Sequence, residues 1–250
     1  MATFLTSKIR PTKGFAHFLH IAFVVLLPIV LLVLVRLNLD ILALLLILLS
    51  KWRMFAVKAH HWVAHIRTNA VDIIVGLSVL AFMSNTGSLP WQLLWVVLYE
   101  LWLLVLKPGS NVLMVSLQAV VAQTLGFISI FLVFEDIHLA FVVLAYGFIA
   151  YFCARHFLSS FDEPHAQILA SQWGFFAAAL MWVLGHWLLF IGPIAQPALI
   201  LSVLGYGLGG LYYLEETDKL SRLVRRQILL VMITVILVVL VFANWGDKTV

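Results

Sequence analysis

Four polar side chains stand inside otherwise apolar runs: Asp72, Glu100, Gln118 and Gln172. A carboxyl group there can carry a proton or pair with a cation, and a carboxamide can both donate and accept. Counted from the nearest cationic loops at 1.5 Å per residue, all four lie roughly 5–12 Å deep in the same half of a bilayer. Their common depth predicts a polar cavity facing the cytoplasm, in which Glu100 takes a proton or a cation. The plainer alternative is hydrogen bonding between helices, with Glu100 neutral.

A second set is rich in imidazole. His61 and His65 are four apart, on one helical face, and His60 adjoins them. Such spacing can give two ligands to one metal. His156, Asp162, Glu163 and His165 cluster later in the chain and complete an alternative reading, a metal-dependent enzyme acting on a lipid. One histidine box lacks the ligand count of such a centre, and there is no glutamate in an HExxH position, so no cofactor is expected. The motifs of phosphate-binding loops, serine nucleophile elbows and the known intramembrane proteases are missing.

The elements that must position these residues follow from composition. The chain has 250 residues, 64% hydrophobic and 10% charged, with a mean hydropathy of +1.11. Soluble domains carry about 25% charged residues. The expected fold is therefore an all-α polytopic helix bundle, one transmembrane domain over 1–250. Nine spans are expected and eight are the alternative, at about 20 apolar residues per crossing. The first is Phe15–Val35, a retained span interrupted by Pro28. The second, about Asn38–Val57, crosses only if Lys51 and Arg53 snorkel to the interface. The third begins near Asn69. Span five, Ser110–Phe134, carries both Gln118 and Gln123, and span seven runs to Ile191.

Charge sets the orientation. Residues 1–14 form a short basic tail, 51–67 a basic segment and 215–226 a charged segment. Nine spans with a cytoplasmic N-terminus place 13 Lys and Arg inside and two outside, whereas the best eight-span arrangement gives 11 and four, so the positive-inside rule favours nine. Within 51–67, Trp52, Phe55, Ala59, Trp62 and Ile66 share one helical face, which predicts an amphipathic helix at the membrane surface. Lys51, Arg53, Lys58 and Arg67, with Arg222, Arg225 and Arg226, are the expected contacts for anionic lipid headgroups or a cytoplasmic partner.

A formal charge of +4 does not point to nucleic acid, because the cations sit in loops between apolar runs. The single cysteine, Cys153, excludes an internal disulfide. Gly205 and Gly209 form a GxxxG pair that permits close helix approach and a homo-oligomer. The leading functional expectation is a small transporter, or a membrane subunit of a larger assembly, in a plasma or bacterial inner membrane. A scaffold without ligand is the third reading.

Overall fold

The computed structural model describes residues 15–52, 62–133 and 138–245, without the side chains of 15–20 and 63. The tail 1–14, Arg53, Lys58, His60 and His61 lie outside the described residues. Within them the chain forms nine helices. They are α1 (Phe15–Arg36), α2 (Asp40–Leu49), α3 (Trp62–Ser84), α4 (Leu89–Leu101), α5 (Val112–Val133), α6 (Leu139–Leu158), α7 (Ala166–Gly185), α8 (Gln196–Glu216) and α9 (Arg222–Phe242). A π-helical turn, Trp102–Leu106, extends α4, and a 3-10 turn, Ser159–Phe161, extends α6.

Seven of these helices, α3 to α9, are long and apolar enough to cross a membrane. This is a multi-pass helix bundle of an integral membrane protein. Its outer surface is covered with exposed Leu, Val, Ile and Phe, as lipid contact requires.

The second predicted span differs most from expectation. Its helix α2 has 10 residues, about 15 Å against the ~30 Å of a hydrocarbon core. It runs antiparallel to the second half of α3, since the Ser84 hydroxyl donates to Asp40 (2.8 Å) at one end and Lys51 reaches Asp72 at the other. Lys51 does not snorkel: it turns inward and is buried. Of the predicted surface helix over 51–67, Lys51 and Trp52 follow α2 and Trp62 to Arg67 belong to α3, while 53–61 lie outside the described residues.

The helices pack through small residues and a few polar links. Helices α6 and α7 approach most closely at Gly147 and Gly174, where a Cβ on Gly174 would stand 2.9 Å from the Gly147 carbonyl oxygen. Helices α5 and α6 stack Phe127 on Tyr146, whose hydroxyl donates to the Phe127 carbonyl (2.9 Å). Helices α3 and α5 share a buried Ser129–Ser78 hydroxyl bond (3.1 Å). Without a hydrophobic drive between helices in lipid, such close contacts and hydrogen bonds hold the bundle.

Between α7 and α8 the expected all-α pattern is broken by a two-residue hairpin, β1 (Phe190–Ile191) and β2 (Ile194–Ala195). Gly192, with φ of +58°, followed by Pro193 makes the tight turn that a span running to Ile191 would not allow.

Candidate functional site

Polar residues of α3, α5, α6 and the π turn after α4 gather at the end of the bundle that carries Lys51, Lys107 and Arg155. Asp72 is the centre. Its Oδ2 accepts from Lys51 Nζ at 2.8 Å and from Lys107 Nζ at 2.6 Å, and its Oδ1 accepts from Trp102 Nε1 at 2.9 Å. Lys51 and Asp72 are nearly enclosed, while Lys107 is 39% exposed. Four pieces of chain are tied here by one carboxylate: the end of α2, the middle of α3, the π turn and the loop after it.

Local sequence explains why the π turn is there. Pro108 has no N–H to continue the helical ladder, so α4 ends at this point, with Lys107 still in the helical region. The last turn widens, the Lys107 amide donates to the Trp102 carbonyl (2.8 Å), and Trp102 and Leu103 are both turned into the core. Of the aromatic stripe in α4, Trp102 thus serves Asp72, Trp95 stacks on Phe82 with centroids 4.3 Å apart, and Trp91 faces outward.

Next to the ion cluster, buried Gln118 donates to the carbonyls of Leu106 (2.6 Å) and Gly109 (3.0 Å) and pairs through Oε1 with His156 Nε2 (2.8 Å). It therefore fixes the loop that carries Lys107. Beyond the end of α2, burial pushes the Lys51 ammonium down to about 8, with Lys107 acting in the same direction and Asp72 opposing both.

The four residues predicted to share a cavity are not gathered into one. Asp72 is enclosed in its ion pairs and Gln118 is satisfied by backbone and imidazole. Glu100 is half-buried, with no ion pair to any described residue, and Gln172 is on the exposed face of α7. The lysine and arginine expectations divide too. Lys51 is spent on Asp72, Arg67 and Arg222 are exposed, and Arg226 is exposed beside Arg225, which pairs with Glu215 (2.9 Å).

Among the described residues no three His, Cys, Asp or Glu side chains come together as a metal centre would need. His65 is exposed, and His156 is held by Gln118. Asp162 closes the 3-10 turn in the left-handed region, φ +55°. Glu163 accepts from the His165 amide (3.0 Å), and that bond, with Tyr212 beside it, holds its carboxyl below the usual range.

A cavity exists elsewhere. It lies between α5, α6, α7 and α8, in the half of the bundle nearer the ion cluster, with a volume of about 450 Å³. Its walls are apolar and aromatic, including Leu117, Phe157, Trp173 and Tyr213. At one end Gln123 accepts from Trp173 Nε1 (3.0 Å), donates to the Leu201 carbonyl (3.3 Å) and lies against Gly205. Gly205 admits Gln123, and Gly209 opens the wall opposite Phe157. Leu113 and Leu117 on α5, and Tyr206 and Leu208 on α8, line the cavity and are also exposed on the outer surface. The opening is therefore sideways, towards lipid.

Sequence reasoning missed Lys107, Trp102, Gln123 and Trp173 as members of these sites. The available signal was the position of Lys107 at the end of a span adjacent to the one bearing Asp72.

No family model matches the chain, and neither does any curated protein or solved structure.

Proposed function

We propose that this multi-pass protein is a small transporter-like carrier that takes the hydrocarbon chain of a membrane amphiphile into the cavity between α5 and α8. The observation that carries the reading is the sideways opening of a 450 Å³ apolar cavity between lipid-facing Leu113 and Tyr206. That volume is within the range of small-molecule sites. Lipid tails are as apolar as the walls, so burial alone gives no preference over the bilayer. Selectivity would come from shape and from the aromatic and carboxamide groups at Gln123, Trp173 and Tyr206.

The same reading places the basic end in the cytoplasm of a plasma or bacterial inner membrane, with nine crossings. Of the nine described Lys and Arg, eight (Lys51, Arg67, Lys107, Arg155, Lys219, Arg222, Arg225, Arg226) belong to that end and Arg36 to the other.

The test is Gly209→Phe. A Cβ at this position meets nothing closer than 3.5 Å, so the ring enters the cavity without disturbing the backbone. Native mass spectrometry after mild extraction should find a one-chain amphiphile on the wild type and not on the variant. Equal retention by both would refute the reading.

A further inference from the structure

The ion cluster is out of balance. Asp72 contributes one negative charge, and Lys51 and Lys107 contribute one positive charge each. Both ammonium groups converge on the same oxygen, Oδ2, while Trp102 occupies Oδ1, so the carboxylate is fully engaged and one cation is in excess. Of the other groups facing it, Tyr99 and His156 are within electrostatic reach of Asp72 and Gln118 is neutral, so none of them supplies an anion. Among the described residues no carboxylate besides Asp72 forms an ion pair with Lys51 or Lys107: Glu100 makes none, Glu163 is engaged with the His165 amide and Glu215 with Arg225, and the segments 1–14 and 53–61 contain no Asp or Glu. The excess positive charge is therefore carried on Lys107, which is 39% exposed and open to a counter-anion from outside.

We propose that a phosphate group bringing a net negative charge, from an anionic lipid headgroup or free in solution, completes the Lys51–Asp72–Lys107 cluster by binding against Lys107. Lys107 is the only member of the cluster with substantial exposure, and its ammonium has donors left after its bond to Asp72. It follows directly on the end of α4, at the membrane–water boundary, where headgroup phosphates lie. The N-terminus of α5, capped by Asn111, begins five residues later and adds its partial positive charge. The site is separate from the α5–α8 cavity and does not depend on it: Gln118 and His156 face the cluster, while Ser116, Leu117 and Phe157 face the cavity.

The competing way to remove the excess charge is loss of the Lys51 proton, and this gives the proposal a signature. Phosphatidylglycerol binding should weaken as pH rises from 7 to 9, because its phosphodiester keeps one charge throughout while Lys51, held at about 8, becomes neutral and restores balance without a ligand. The full-length protein in neutral detergent is titrated with inorganic phosphate, short-chain phosphatidylglycerol or short-chain phosphatidylcholine, and binding is read from the melting temperature. Stabilisation by phosphatidylglycerol alone identifies a lipid headgroup, and stabilisation by inorganic phosphate as well identifies a general oxyanion site. Lys107→Gln leaves the balanced Lys51–Asp72 pair and should lower the affinity about tenfold, the worth of one charge-assisted bond, and abolish the pH dependence. Arg225→Gln should change neither. Equal response to phosphatidylcholine, no response to any of the three, or unchanged binding in Lys107→Gln would overturn the proposal.

Discussion

Replacing Asp72 by Asn removes one charge and almost nothing else. The side chain keeps its shape, and its amide oxygen can still accept from Trp102 Nε1, as Asp72 Oδ1 does at 2.9 Å. Lys107, 39% exposed, can turn to solvent. Lys51 cannot, being 9% exposed, so the cost falls on it. Breaking a buried pair by removing one partner costs about 3–5 kcal/mol. Loss of the Lys51 proton limits that cost: with its ammonium already held at about 8, neutralising it at pH 7 takes roughly 1–2 kcal/mol. At about 2–4 °C per kcal/mol for a chain of this size, the melting temperature should fall by a few degrees. Thermal unfolding followed by tryptophan fluorescence in detergent measures it. The double variant Lys51→Met/Asp72→Asn has neither the stranded cation nor its carboxylate, and should recover to within ~1 kcal/mol of wild type. An Asp72→Asn protein that melts with the wild type, or a double variant as unstable as the single, would refute the account of Asp72 as the charge that pays for Lys51.

Other outcomes follow from the same structure. Stability should rise with pH from about 8 to above 10, because burial lowers the folded-state pKa of Lys51 from 10.5 to about 8 and the unfolded chain then binds the extra proton; Lys51→Met should flatten that rise in a melting series. Gly174→Leu drives a side chain into the Gly147 backbone and should cost about 1–3 kcal/mol or more, whereas Gly210→Ala, with nothing within 4 Å, should melt no lower than wild type. Arg225→Ala breaks an exposed pair with Glu215 and should shift stability by less than about 1 kcal/mol. In a Cys153→Ala background, a membrane-impermeant maleimide should label Lys219→Cys and Gly87→Cys from opposite sides of the membrane; labelling from the same side would contradict an odd number of crossings between them.

What could be read in advance was height, and what could not was rotation. The depth of Asp72, Glu100, Gln118 and Gln172 was countable along each helix axis, and Asp72 and Gln118 do sit near one level beside Lys107. Which way each faces was not countable. In water, an apolar stripe shows which side of a helix turns inward. In lipid both sides are apolar, so the pattern that would have sent Gln172 outward on α7 and Trp102 inward on α4 is nearly erased. Span ends were legible because Pro108 and the cationic loops interrupt the apolar runs. The short α2 was not, since Lys51 was expected to reach for water and instead found a carboxylate 21 residues further on.

That separation has a consequence for how the protein is made. When α2 leaves the ribosome it ends in a lysine whose partner has not yet been synthesised, and the second lysine on that carboxylate comes later still. A nascent chain stopped before residue 72 offers Lys51 only water or headgroups, and α2 is then expected to lie at the surface rather than in its final place. The first hairpin of this protein is thus completed from behind, by charges that arrive after it, and its insertion is expected to be a late event in biogenesis although its sequence comes first.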